Sequence, residues 1–173
     1  MHEITLAAPE DFPRVRALFH SLIDEMQHLP TFPYWEKDVY PTDETVHGYI
    51  ARGEMHLLTV GGELAGTVSL CRTFRDGDGA DWLTVRPDSD FAVIALLAVH
   101  PRFARRGYAK VLLNHALGLA RSANLRSVRL DVTDNNLPAQ RLYEGAGFSP
   151  AGESTSVFDD GSSIRFLFYE LAL

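Results

Sequence analysis

A chain of 173 residues with 46% hydrophobic and 23% charged residues has room for one domain with a sizeable core. A net charge of −7 argues against nucleic acid as the main partner, because a phosphate backbone requires a broad basic face; a cationic substrate such as an amine fits better. No apolar run approaches the ~20 residues that span a bilayer, the charged N-terminal stretch is unlike a signal peptide, and the one cysteine, Cys71, leaves no internal disulfide or multi-cysteine zinc site. No membrane partner and a cytoplasmic location are therefore expected.

In chain order, residues 2–7 alternate as an edge strand does. Residues 9–27 carry Phe12, Val15, Leu18, Phe19, Leu22, Ile23 and Met26 at spacings of three and four, which predicts an amphipathic helix. Residues 28–41 hold three prolines, which forbid regular structure, yet Phe32, Tyr34, Trp35 and Tyr40 supply large amphipathic surface. This segment is either a loop pinned by its aromatic rings or a wall of a substrate pocket, with Tyr34 and Trp35 as candidate contacts. A short helix capped by Thr42 follows, then a hairpin of residues 55–60 and 64–72 turning at Gly61-Gly62. Residues 73–90 form a long polar excursion with a possible short strand at 82–85. Its aspartates fail as a calcium loop, because Ala80 and Pro87 stand where oxygen ligands are needed.

Residues 91–99 are nine consecutive apolar residues, the pattern of a strand buried on both faces. His100-Pro101 breaks it, and Arg102, Arg105, Arg106 and Lys110 surround Gly107 where a helical pattern begins. Buried strand, basic turn and helix N-terminus together suit a phosphate group, since unpaired N–H groups and the positive end of the helix dipole face the anion. The charge map supports this reading over a plain tight turn. Between Phe91 and Leu130 lie seven of the chain's 16 basic residues and none of its 23 acidic ones. The remaining pattern predicts a helix over 107–123, a strand over 127–132, a helix opened by Asn136 and Pro138 and ended at Gly147, and two strands at 149–158 and 163–172. A mixed sheet with helices on its faces follows.

Two stretches resemble the signatures of the GCN5-related N-acetyltransferases. Ala104-Arg105-Arg106-Gly107-Tyr108-Ala109 stands in the register of the family's phosphate loop, with Ala104 where the family has Arg or Gln. Residues 136–148 match Asn-x-x-Ala-x-x-Leu-Tyr-x-x-x-Gly-Phe at every fixed position. The resemblance implies an α/β (α+β) acetyltransferase fold over the single domain 1–173: a mixed, mostly antiparallel sheet of about seven strands, splayed in the middle and flanked by about four helices. It implies acetyl-CoA as donor, bound by main-chain groups of Leu97, Ala98 and Val99 and by the turn of Ala104, Arg105, Arg106, Gly107, Tyr108, Ala109 and Lys110. Asn136 is implied as a polar contact, its other reading being a helix N-cap. Tyr143 is implied as general acid and cofactor contact, its other reading being plain core. With Ala104 in the family's charged position, Arg102 or Arg105 would supply the charge.

Acetyl transfer to an amine further needs a base. The resemblance places a glutamate at Ala95 in many members; here Asp90, Asp131 or a water relay are the alternatives. No Ser-His-Asp arrangement, reactive cysteine or metal motif is visible in the sequence, so no metal is expected and direct transfer is preferred. Two other readings stay open: a non-catalytic acetyl-CoA sensor, and a structural domain that forms a homodimer through a sheet edge.

Overall fold

The structure is a computed structural model, and it describes residues 1–73, 82 and 90–173. Eleven regular elements follow in the expected order: β1 (His2–Leu6), α1 (Phe12–Met26), α2 (Asp43–Ala51), β2 (Met55–Val60), β3 (Glu63–Cys71), β4 (Phe91–Val99), α3 (Tyr108–Ser122), β5 (Ser127–Thr133), α4 (Leu137–Gly145), β6 (Ser149–Val157) and β7 (Ser163–Ala172). The expected strand at 82–85 and the rejected calcium loop fall mostly outside the described residues.

The helix predicted from residue 9 begins instead as a 3-10 turn, Pro9–Asp11. Pro13 has no N–H to bond back to Pro9, so the first turn tightens before α1 takes over. Thr42 caps α2 as expected, its Oγ1 accepting the Thr45 N–H at 3.0 Å. The β2–β3 turn uses Gly61 and Gly62 at φ 60° and 86°, a pair of left-handed residues that fits strand twist.

The sheet order is β1-β2-β3-β4-β5-β7-β6. Every neighbouring pair is antiparallel except β4 and β5. Parallel neighbours need a crossover, and α3 supplies it. One core lies under α1 and α2, where Val15, Phe19, Leu22 and Ile23 meet Met55, Leu57, Leu96 and Ala98. The other lies under α3 and α4, where Leu112, Leu113, Ala116 and Leu117 pack on Val128, Leu130 and Val132. Phe19 is 2% exposed, and truncating such a side chain to alanine costs about 3–5 kcal/mol. Sandwiched between the two cores, β4 is buried along most of its length. No helix among the described residues is long and apolar enough to cross a membrane.

Candidate active site

β4 and β5 pair at Phe91↔Ser127, Ala92↔Val128 and Val93↔Arg129, and at no later residue. Past Val93 the strands part, which opens a cleft along the C-terminal half of β4. Which main-chain groups face it follows from alternation. The His100 N–H bonds the Ala65 carbonyl of β3 at 2.9 Å. Successive extended residues direct their N–H and C=O to opposite edges, so Val99 and Leu97 face the cleft and Ala98 faces β3. Gly66 agrees: a Cβ there would lie 2.4 Å from the Ala98 carbonyl oxygen. Of the three residues expected to meet the donor, Leu97 and Val99 are therefore the ones with main-chain groups turned to the opening.

A bulge makes this possible. Ser69 opposes Ala95 and Thr67 opposes Ala98, so two residues of β4 face one of β3. Leu96 takes a left-handed φ of 47°, and its carbonyl accepts the Thr67 hydroxyl at 2.8 Å. For a bulky residue that conformation costs about 1–2 kcal/mol, and such strain gathers at sites where a strand must be re-aimed.

Beyond β4 the chain makes a 3-10 turn, Pro101–Phe103, and then Arg105 and Gly107 adopt left-handed φ of 60° and 80°. Among the described residues, the N–H groups of Arg105, Arg106 and Gly107 donate no hydrogen bond. Those of Tyr108, Ala109 and Lys110 are first-turn donors with no acceptor in the helix. Gly107 is the N-cap of α3, with no side chain to cap them. Nothing lies within 4 Å of a Cβ built on Gly107. The result is an open nest of N–H groups at the positive end of a 15-residue helix. Around it, Arg102 pairs with Glu63 at 3.2 Å and the Arg106 guanidinium lies 5.9 Å from the Phe103 ring. Arg105 is exposed and has no ion pair among the described residues, which makes it the better placed of the two suggested replacements for a charge at Ala104.

His100 braces this turn from below. Its Nδ1 accepts the Arg102 N–H at 3.3 Å, so Nε2 is the donor. Nε2 meets Ser21 Oγ at 3.0 Å and Glu25 Oε1 at 3.4 Å, on the last turns of α1. A serine, a histidine and a carboxylate thus come together, as the sequence did not suggest. They are not a nucleophilic relay, because both oxygens share one ring nitrogen where a relay needs one on each. Cys71 is buried, its Sγ directed at the Thr73 and Val93 carbonyls, and burial raises its thiol above the ordinary value. No nucleophile is built there.

On α4, Asn136 is the N-cap, its Oδ1 accepting the Ala139 N–H at 3.3 Å. Tyr143 is 6% exposed, with its ring 5.8 Å from that of Phe148. Burial first, and the carboxylate of Asp131 second, raise its phenol above the ordinary 10.0. It therefore stays protonated at neutral pH. Asp131 itself is exposed, on the face of β5 opposite Leu130 and Val132. Asp90 is a different matter. It sits before β4, where its carbonyl accepts the Arg126 N–H at 2.7 Å and β4 and β5 are still paired. A span of seven residues, extended except at the Leu96 bulge, puts it roughly 20 Å from Leu97, which removes it as a base for chemistry in the cleft.

The irregular segment 28–41 closes the same end of the molecule. A cavity of about 420 Å³ is lined by Phe32, Tyr34, Trp35, Glu36 and Asn135 among others, with no lysine or arginine among the described residues of its lining. Tyr34 is 52% exposed, whereas Trp35 packs edge-on against Phe19 and Phe32 at 5.7 and 6.1 Å. Asn135 Nδ2 reaches the carbonyls of Pro30 and Phe32 at 3.1 and 2.7 Å.

Residues 16–148 match the acetyltransferase (GNAT) family. The chain belongs to that family. Over 79 residues, 43% of the chain and 26% of the relative, it is 39% identical to a mycothiol acetyltransferase of Beutenbergia cavernae. Over 60 residues, 35% of the chain and 41% of the relative, it is 37% identical to a [ribosomal protein bS18]-alanine N-acetyltransferase of Haemophilus ducreyi. The matches thus span well under two thirds of these relatives' lengths. Among solved structures, a putative acetyltransferase from Salmonella typhimurium with its cofactor acetyl-CoA shares the fold: TM-score 0.72, 20% identity, 100% of this chain and 94% of that one.

For this GNAT chain the sequence reading missed the Leu96 bulge, the His100 brace and the Asn135 contacts. The Leu96 bulge carries no glycine to betray it. Gly66, a glycine inside a strand, was the available sign of close backbone approach. Asn135 contacts residues more than 100 positions away, which no local pattern encodes.

Proposed function

We propose that this chain is an N-acetyltransferase that moves an acetyl group from acetyl-CoA directly to a primary amine. The observation that carries the reading is the uncapped nest at residues 105–110, placed at the end of a strand whose Leu97 and Val99 main-chain groups face an open cleft. A pyrophosphate suits the nest and an amide-rich arm suits the strand edge, which it pairs like an added strand. Arg105, Arg106 and Lys110 add charge around the phosphates, and the Nδ2 of Asn136 remains for a polar contact beside its capping role. Acetyl-CoA supplies the activated acetyl group as a thioester.

The residues then have separate tasks. The Leu97 N–H polarises the acetyl carbonyl in the manner of an oxyanion hole. Tyr143 hydrogen-bonds the departing sulfur. Its raised phenol favours donation of a hydrogen bond over full proton transfer, since a tyrosine near 10 already works uphill by about 2 kcal/mol against a thiolate near 8.5. An alkylamine of pKa ~10.4 costs roughly 4.6 kcal/mol to deprotonate at pH 7, so the proton needs a path out. Asp131, directly or through water, is that path in our reading. Tyr34 and Trp35 wall the acceptor. Among the described residues the lining offers the carboxylate of Glu36 and no cation, which suits an amine without a carboxylate beside it. Ala95, in place of a strand carboxylate, favours a second reading, an acetyl-CoA sensor without turnover.

Calorimetry with acetyl-CoA followed by thiol release over a panel of amines separates the readings. Binding with amine-dependent thiol release supports the enzyme. Binding without it supports the sensor, and no binding overturns both.

A further inference from the structure

We propose that Asn135 is a positioning residue: its carboxamide latches the wall of residues 28–36 across the mouth of the cleft and so sets the acceptor pocket. The proposal rests on the acetyltransferase reading for the word acceptor, but the latch itself does not.

β4 and β5 run parallel, so their C-terminal ends lie at the same edge of the sheet, on either side of the cleft. The first residue after β4, His100, is tied to Ser21 and Glu25 near the end of α1. The second residue after β5, Asn135, is tied to Pro30 and Phe32. The chain from α1 to residue 32 therefore bridges both lips of the opening. Among the described residues, the two bonds from Asn135 are the hydrogen bonds that join residues 28–36 to anything beyond residue 41. Packing also holds this wall: Phe32 is buried in the core under α1 and α2, and Trp35 packs against Phe19, Phe32 and Tyr40.

The orientation of the amide is fixed by its partners. Two carbonyls can only accept, so both hydrogens of Nδ2 are committed to the wall. Oδ1 is buried with no hydrogen-bond partner among the described residues. Asn135 also precedes Asn136, the cap of the helix that carries Tyr143. The acceptor wall and the catalytic helix are thus joined through two consecutive residues.

Hydrogen exchange on the full chain tests the latch, with wild type, Asn135→Ala and Asn135→Asp compared. Exchange within residues 28–36 should rise about tenfold in Asn135→Ala, and further in Asn135→Asp, where a carboxylate faces two carbonyls; residues 91–99 and 137–145 should not change. Unchanged exchange at 28–36, or an equal rise everywhere, overturns the latch. The role in the reaction is read with whichever of spermidine, phenethylamine or glycinamide the wild type acetylates fastest. The KM for that amine should rise about fivefold in Asn135→Ala while the Kd for acetyl-CoA stays within about twofold. Faster exchange with an unchanged amine KM shows that the wall does not position the acceptor. Absence of thiol release from wild type with all three amines overturns the acetyltransferase reading, and with it the acceptor role, while the exchange result still decides the latch.

Discussion

On the proposed donor side of the cleft the fold presents backbone: the Leu97 and Val99 main chain, and the bare N–H groups of a turn held by two left-handed residues. On the proposed acceptor side it presents side chains: Tyr34, Trp35 and Glu36 on a segment without helix or strand, and Asn135 from the turn between β5 and α4. Backbone recognises what is common to every use of one donor, and side chains are free to change with the acceptor. Selectivity should therefore fail in different ways when each side is damaged.

The largest effect should come from the residue between them. Tyr143→Phe should lower kcat by about 100-fold or more, with acetyl-CoA affinity within about twofold, as measured by thiol release and calorimetry. An unchanged kcat removes the hydrogen bond to sulfur from the mechanism.

Next come the backbone positions. Gly66→Ala must displace the Ala98 main chain, 2.4 Å from the new methyl, and Gly107→Ala must hold a left-handed φ of 80°. Each should weaken acetyl-CoA by about tenfold, with amine KM little altered, since 1–2 kcal/mol of strain converts to that range. Side chains on the same turn should matter less. Arg105→Ala should lose about three- to tenfold in acetyl-CoA affinity, and Arg102→Ala, already paired with Glu63, less than about twofold. Reversal of that order would show the ion pair opening to release Arg102.

How far these parts could be read beforehand follows from chain distance. The order of all eleven elements was legible, because periodicity, caps and turn glycines are local. So was the turn at residues 104–110, since strand, turn and helix are contiguous. Two things were not. The left-handed Leu96 lies in an unbroken apolar run, where bulge and regular strand look alike. The ties of His100 to Ser21 and of Asn135 to Phe32 join residues 79 and 103 positions apart, so they exist only once the sheet has formed. Tyr143, the proposed partner of the departing sulfur, was legible as a tyrosine in a signature, and its burial was one of the two readings open there.

On the acceptor side, a matched pair sharpens the comparison. Phenethylamine should exceed phenylalanine in kcat/KM by about tenfold or more, because the second carries a carboxylate into a lining whose described residues include Glu36 and no cation. Equal values would remove charge as the selecting feature.

The smallest effect lies away from both sides. His56, 3.1 Å from His115, is lowered to about 4, by burial first and by its neighbour second. A histidine whose folded value is depressed binds its proton more readily when unfolded. Stability should therefore be intact above about pH 6.5 and fall as pH drops from there toward 4. Denaturant titration of wild type and His56→Gln across that window should show a shallower decline in the variant.

Direct transfer to an amine held opposite a backbone-bound donor is decided by intact-mass measurement beside thiol release. With acetyl-CoA alone, the chain's mass should stay unchanged and thiol should not accumulate; adding an accepted amine should release one thiol per acetylated amine. A chain that gains an acetyl group before any amine is added, or binds acetyl-CoA and releases no thiol with any amine, contradicts it.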